Sequence, residues 1–379
     1  MSVSVGIAAA DMSHIPHLLH VLPSFGVGGI QVRLVALINS FGPRYRHTIV
    51  ALDGTISCLE RVAPGNLVEP VFFPNRAGSA LRRLNAIRRK LTELQPDLLL
   101  TYNWGSIEWV LANRFFFAVS AHVHLEDGFG PDEVDGQVRR RVLVRRFALS
   151  GALKVVVPSQ TLVQLALQDW RLRPDRLLHI PNGIAVDQFL SHRNVKPRFG
   201  RDRGDVVVGT IAPLRPEKNI GRLIRAVART CNERLRLVVA GEGPERSALE
   251  TEAKALLGNR ALFIGSVTEP TRALQDFDIF ALSSDTEQMP MTILEAMAMA
   301  LPIAAVAVGD VPIMVADENR PFIVEKHDEA GLSAAIARLA EDDALRSRLG
   351  RRNACHVRAA FPFERMISSY DALLTSIVG

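Results

Sequence analysis

Short apolar runs alternate with longer helical patterns along this chain, and at Val206 the alternation begins again. In the first half, strands are expected at Leu18–Leu22, Thr48–Leu52, Leu67–Phe73, Leu98–Tyr102, Val119–Val123, Lys154–Val157 and Leu177–Ile180. Helical patterns lie at Ile30–Phe41, Ser79–Leu94, Glu133–Leu149 and Ser159–Gln168. In the second half the strand candidates are Val206–Ile211, Leu235–Ala240, Leu262–Ile264, Ile279–Leu282, Ile303–Val306 and Phe322–Val324, with helices over Ile220–Cys231, Glu245–Leu257, Met291–Ala300 and Asp328–Leu339. Such alternation builds βαβ units around a parallel sheet. At 379 residues the chain is long for one core, so two domains are the natural reading. Residues 191–204 are polar, rich in Arg, Gly and Pro and without periodicity, and read as the linker between domains 1–190 and 205–360. The expected class is α/β, two doubly wound Rossmann-like domains with the site in a cleft between them, at the carboxyl ends of the strands.

Several function classes are disfavoured by composition. Cys58, Cys231 and Cys355 are scattered and odd in number, with neither metal spacing nor a disulfide framework, which suits a reducing compartment. The first ten residues lack a basic start and a long apolar core, and no apolar run approaches the roughly 18–20 residues that span a bilayer. A cytoplasmic protein is expected, with room for attachment to the inner face of a membrane. The net charge of +5 is uneven: Arg82-Arg83, Arg88-Arg89-Lys90, Arg139-Arg140-Arg141 and Arg145-Arg146 all fall in the first 150 residues. Solvated helix faces account for such clusters, and so does an anionic membrane surface or acidic acceptor. The apolar residues Val142, Leu143, Val144, Phe147 and Leu149 share the second cluster's helix, to face either the core or a headgroup layer. Nucleic acid is not expected, because aromatic residues do not interleave with the basic ones.

The loops that follow strands carry the chemistry. Ser283-Ser284-Asp285-Thr286-Glu287-Gln288-Met289-Pro290 leaves the run Ile279–Leu282 and enters a helix containing Glu295. A strand, a loop and a helix N-terminus suit an anionic ligand. A carboxylate there repels phosphate and instead suits hydroxyl groups, so phosphate and hydroxyls together suggest a nucleotide sugar. Thr292-Ile293-Leu294-Glu295 also fits a capping box, in which Glu295 only satisfies backbone donors. Arg215 and Lys218 follow the first strand of the second half, where both can reach a pyrophosphate. Gly26, Gly28 and Gly29 follow the first strand and Gly241 and Gly243 the Leu235–Ala240 run, allowing positive φ, close ligand approach, or merely tight turns. The G-x-G-x-x-G spacing fails, because Gln31 stands where the third glycine belongs. His122, His124, Glu126 and Asp127 gather at another strand end. His122 and His124 share one face, and sugar binding or proton handling by His124 or Asp127 suits them better than a metal. Asp276-Phe277-Asp278 leads directly into an apolar strand and reads as a strand-start feature.

Taken in order, these motifs resemble the family 4 retaining glycosyltransferases of GT-B fold. The match covers nearly the whole chain. Its most specific part is Ser284 to Pro302, where Glu287 and Glu295 fit the E-x7-E signature. Gly28-Gly29, Pro181-Asn182-Gly183-Ile184 with Asp187, Pro216-Glu217-Lys218 and Gly241-Glu242-Gly243-Pro244 support it. The resemblance implies that Glu295 binds the ribose hydroxyls of the donor, that Glu287 lies by the donor sugar beside the amides of Met291 and Thr292, and that Lys218 neutralises the diphosphate. Gly28 and Gly29 would approach the donor phosphates, and the His124 segment would face donor sugar and acceptor. The sequence departs from the family's pattern at Gln288, usually Gly, at Ala300, usually Gly, and at Pro213, often Arg, where Arg215 is the substitute. The family's histidine aligns with either His124 or Asp127.

The reaction so implied moves a glycosyl unit from a UDP- or GDP-linked sugar to a glycan or lipid-linked acceptor with retention, without metal or other cofactor, in polysaccharide or glycolipid synthesis. A helix over 361–379 would return to the first domain. Rival classes are a nucleotide-sugar epimerase or hydrolase on the same fold, a non-catalytic two-lobed sugar-binding protein, and a nicotinamide-dependent dehydrogenase, which the failed glycine spacing disfavours.

Overall fold

The computed structural model describes residues 14–73, 78–115, 119–134, 136–190 and 204–379. The first half runs β1 (His17–Leu22), α1 (Gly29–Phe41), β2 (Arg46–Ala51), β3 (Leu67–Pro70), α2 (Ala80–Leu94), β4 (Leu98–Tyr102), α3 (Ile107–Arg114), β5 (Ala121–Leu125), α4 (Arg139–Leu149), β6 (Lys154–Val157), α5 (Gln160–Gln168), β7 (Leu177–His179) and α6 (Val186–Leu190). The second runs β8 (Val206–Ile211), α7 (Ile220–Arg229), β9 (Leu235–Ala240), α8 (Arg246–Leu257), β10 (Ala261–Gly265), α9 (Thr271–Leu274), β11 (Ile279–Leu282), α10 (Met291–Ala298), β12 (Ile303–Val306), α11 (Val311–Met314), β13 (Ile323–Val324), α12 (Glu329–Glu341), α13 (Asp343–Ala360) and α14 (Phe363–Val378). The described residues fall into two compact units. One takes its residues from Met1–Leu125, Phe147–Val155 and Tyr370–Gly379, the other from Glu126–Arg146 and Val156–Ser369.

A seven-stranded sheet has the order β3-β2-β1-β4-β5-β6-β7, and a six-stranded sheet the order β10-β9-β8-β11-β12-β13. Every pair in the second sheet is parallel. In the first, the ladders from β3 to β5 are parallel as well. Both sheets start centrally, step outward, and then reverse to the other side, which is the doubly wound pattern. Strands covered by helices on both faces need apolar residues at successive positions. Accordingly β1, β11 and β12 are buried at every residue. Gly209 inside β8 has a tertiary reason: a Cβ there would stand 2.2 Å from the Phe277 ring.

Several boundaries differ from expectation for local reasons. β5 lies two residues later than Val119–Val123. α4 starts at Arg139 instead of Glu133, because Pro131–Glu133 forms a separate 3-10 turn and Gly136 has φ of 136°. α10 stops at Ala298, since Ala300 has φ of 54°. The linker expected at 191–204 lies outside the described residues apart from Gly204. Asp276-Phe277-Asp278 is indeed a strand-start feature: Asp278 Oδ2 accepts from the Val207 amide at 2.8 Å. Among the described residues no helix is long and apolar enough to cross a membrane.

The basic clusters are less available than their count suggests. Arg83 pairs with Glu108, Lys90 with Glu93 and Arg141 with Asp132. Arg88 donates to the carbonyls of Ala112 and Phe115, and Arg146 to that of Asp169. Arg145 is wholly buried. Of the apolar residues on α4, Leu149 is core, whereas Leu143 and Phe147 are 62% and 52% exposed.

Candidate functional site

In the six-stranded sheet the order reverses between β8 and β11, and ligands of such sheets sit beyond the carboxyl ends of the strands at that point. The two loops leaving these strands are the pair singled out by sequence, 212–219 and 283–290. They are tied into one body. Ser283 Oγ donates to the Lys218 carbonyl at 3.1 Å, and the Asp285 amide to the Glu217 carbonyl at 2.8 Å. Asn219 Nδ2 donates to Asp285 Oδ2 at 3.0 Å. Arg222 supplies the rest: it is 5% exposed and donates to the Ser283 carbonyl at 2.9 Å and to Asp285 Oδ1 at 2.6 Å.

This lattice sets two charged side chains against each other. Lys218 Nζ donates to Glu287 Oε1 at 2.6 Å, and Ser284 Oγ donates to the same oxygen at 2.8 Å. Arg215 is exposed at the mouth of the turn Pro216–Lys218. Asn219 takes a left-handed conformation with φ of 44° and caps α7, its Oδ1 accepting from the Arg222 amide at 3.1 Å. The carbonyls of Glu287 and Gln288 pack on Gly309, where a Cβ would approach them to 2.3 and 2.6 Å.

Pro290 is the N-cap of α10, with Met291 and Thr292 opening its first turn. The first amides of a helix have no intrahelical acceptor and carry the positive end of its dipole. Thr292 therefore does not occupy the cap position, no side-chain cap bond forms, and the capping-box reading of Glu295 is removed. Glu295 is half-buried one turn further along.

The glycines act through close packing. A Cβ on Gly243 would stand 2.3 Å from the Leu214 carbonyl oxygen, and one on Gly241 1.9 Å from that of Ala212. The 241–243 loop is thereby pressed against the loop that carries Arg215. Of the two, only Gly241 has a left-handed φ, 153°. Gly26, Gly28 and Gly29 do not use positive φ. Gly28 is the extended N-cap of α1, and a Cβ there would meet Gln31 Oε1 at 2.7 Å.

His122 and His124 do share a face, and Thr101 Oγ1 lies 2.8 Å from both His122 Nε2 and His124 Nδ1. His124 is 0% exposed. It sits inside the sheet, and Asp127 is half-buried in the following loop. Burial, then the neighbouring His124, pushes the His122 imidazole down to about 3. Glu126 and Glu133 are buried with Arg145, which donates to both Glu133 oxygens at 3.0 Å and approaches Glu126 Oε2 to 3.5 Å. Burial raises the Glu133 pKa, but the Arg145 guanidinium outweighs it and holds the carboxyl below its usual range. The Arg145 guanidinium also lies 5.0 Å over the Phe129 ring, so it anchors the segment bearing Asp127.

Sequence reasoning missed Arg222, Asp285 as its partner, and Asp310. Asp310 accepts from the amides of Gln160 and Thr161 at 2.6 and 3.0 Å, closing the N-terminus of α5. Gln288, a departure from the family pattern, is 7% exposed and accepts from Ser159 Oγ at 3.2 Å. A basic residue in the first turn of a helix opposes its dipole, and this is the one signal that points to Arg222.

Comparison with known proteins agrees with this geometry. Residues 192–354 match the family described as Glycosyl transferases group 1, and residues 27–188 match Glycosyltransferase Family 4. The D-inositol 3-phosphate glycosyltransferase of Saccharomonospora viridis is 26% identical over 76% of this chain and 75% of its own length. The N-acetyl-alpha-D-glucosaminyl L-malate synthase of Bacillus anthracis is 25% identical over 48% of this chain, and the match spans about half, 49%, of that enzyme. Anabaena HepE, solved in complex with UDP-glucose, superposes with a TM-score of 0.78 at 18% identity, over 95% of this chain and 99% of that one. The fold is GT-B.

Proposed function

This chain belongs to the family 4 glycosyltransferases and is a sugar-transferring enzyme, and from that premise we propose that it moves a glycosyl unit from a nucleoside diphosphate sugar, UDP-linked, to a glycan or lipid-linked acceptor with retention at the anomeric carbon. One observation carries the reading. Arg215, Lys218, Ser284, Glu287 and the opening of α10 are assembled from the loops at a single sheet's reversal point. Cations there meet the diphosphate, while carboxylates at 287 and 295 meet hydroxyls of sugar and ribose. The leaving diphosphate gains most from charge stabilisation aimed at it in place, which Arg215, Lys218 and the α10 amides supply. Asp127 serves at the reacting face, with His124 behind it in the sheet. The donor site needs no metal in this account. A UDP donor is favoured by the likeness to a fold solved with UDP-glucose.

The acceptor is proposed to be membrane-proximal. Exposed Leu81, Arg82 and Arg89 on α2, and Leu143 and Phe147 on α4, are the groups that would meet an anionic surface. Sedimentation should show salt-sensitive binding to anionic vesicles and none to neutral ones; equal binding to both, or to neither, leaves a soluble acceptor.

Release of UDP or GDP from a panel of nucleotide sugars, with and without glycan and lipid acceptors, tests the reaction. Acceptor-dependent release of one nucleotide is expected. Release independent of any acceptor would favour a hydrolase, and no release from any donor would remove the reading.

A further inference from the structure

We infer that Glu287 competes with the donor diphosphate for Lys218, so that the carboxylate placed beside the donor sugar lowers the affinity of the empty site for the nucleotide. The inference rests on the donor site proposed above and adds an opposing role for one of its residues.

Lys218 Nζ and Glu287 Oε1 are 2.6 Å apart, with the two side chains only 19% and 13% exposed. An ion pair so shielded from water interacts more strongly than a surface pair. Glu287 cannot easily withdraw. Ser284 Oγ holds the same oxygen at 2.8 Å, and the Glu287 backbone is packed against Gly309, whose missing Cβ would reach its carbonyl to 2.3 Å. The Lys218 backbone is equally fixed, because its amide donates to the Arg215 carbonyl at 3.0 Å and its carbonyl accepts from Ser283 Oγ. The lysine's long stem gives it the greater reach of the two.

The charges of this loop pair then sum to neutrality. Arg215 and Lys218 are positive, Glu217 and Glu287 negative, and the Asp285 charge is matched by Arg222 at 2.6 Å. A diphosphate therefore meets one available cation, Arg215, and one already spoken for. To gain the second, it must draw the Lys218 ammonium off Glu287 or share it. Either way part of the attraction is spent on opening the pair. The carboxylate returns that energy only when a donor sugar gives it hydroxyl donors. The site is thus arranged to hold a sugar-bearing donor well and a bare nucleoside diphosphate poorly, which favours release of the spent nucleotide after transfer.

UDP is the probe, measured by titration calorimetry on the intact chain and on Glu287→Gln. The amide keeps the shape and an acceptor for Ser284 but removes the charge. UDP should bind Glu287→Gln about tenfold more tightly. Lys218→Met should cost less than about threefold in UDP affinity in the otherwise intact chain, yet tenfold or more in the Glu287→Gln background. This comparison reads the lysine's contribution to UDP binding with and without the competing carboxylate. Unchanged or weaker UDP binding by Glu287→Gln, or an equal loss from Lys218→Met in both backgrounds, overturns the inference while leaving the donor site in place. Failure of both UDP and GDP to bind either protein overturns the donor site itself.

Discussion

Lowering the pH from 7.5 to 5 should destabilise the first unit by at least about 4 kcal/mol, through histidines that fold only as neutral groups. Burial, then His17, pushes His47 down to about 4; burial, then His124, pushes His122 down to about 3. His20 is driven well below its ordinary value by burial, then by His47 and His17. Its ring spans His47 Nδ1 and the Tyr102 hydroxyl, each at 3.0 Å, so both nitrogens of His20 have a partner while it is uncharged. All these folded values lie below the unfolded one near 6.5. Above that pH neither state is protonated and nothing is lost. Below it the unfolded chain takes up protons that the native sheet refuses, so stability falls by about 1.36 kcal/mol per pH unit per histidine until the folded value is reached. At pH 5, His47 and His122 each contribute a loss of about 2 kcal/mol, against about 5–15 kcal/mol for a whole domain. Urea unfolding followed by circular dichroism at pH 7.5, 6.5, 5.5 and 5.0 measures the slope. His122→Gln keeps a partner for Thr101, removes one titrating group, and should reduce the loss at pH 5 by about half of the two-histidine sum. A midpoint that stays flat from pH 7.5 to 5, or a slope untouched by that variant, would show that these imidazoles do not couple folding to pH.

Other perturbations follow from single features. Arg145→Met removes the guanidinium buried between Glu126 and Glu133, leaving Glu133 only Arg141 at 3.2 Å, and should cost about 3 kcal/mol in urea unfolding, a loss that Arg145→Lys restores only in part. Ala300→Gly relieves a left-handed φ of 54° and should raise stability by about 1 kcal/mol, read as a higher melting temperature. Gly243→Ala drives a methyl into the Leu214 carbonyl and so should displace the Arg215 loop, lowering donor turnover while circular dichroism stays native.

The strands of the second unit were legible because each is a short apolar run buried on both faces; Val206–Ile211, Leu235–Ala240, Ile279–Leu282 and Ile303–Val306 agree with the structure to the residue. α13 was not, since Asp343–Ala360 buries only Leu345, Leu349, Gly350, Asn353 and Val357 and is otherwise rich in arginine. Much of its anchorage is polar: Asn353 donates to the Leu301 carbonyl at 2.9 Å and accepts from the Ala316 amide at 3.2 Å, bonds that no hydrophobic period reveals. α3 escaped because eight residues give barely two turns of pattern. At the site, the loops could be found from their place after strands. The bond between Arg222 and Asp285 could not, because 63 residues separate the partners. The hydrogen bond of His124 to Thr101 was equally invisible, since 23 residues separate them.

If the loops after β8 and β11, with α10, hold a nucleoside diphosphate, its ribose lies on Glu295. Titration calorimetry of UDP and its 2′,3′-dideoxy analogue on the intact chain and on Glu295→Ala tests it most directly. The intact chain should prefer UDP by about tenfold, in line with the roughly 1–3 kcal/mol lost when a buried hydrogen-bonding partner is removed. Glu295→Ala should bind both compounds alike and about as weakly as the intact chain binds the analogue. A folded Glu295→Ala protein that still prefers UDP by the full margin would contradict that placement of the ribose.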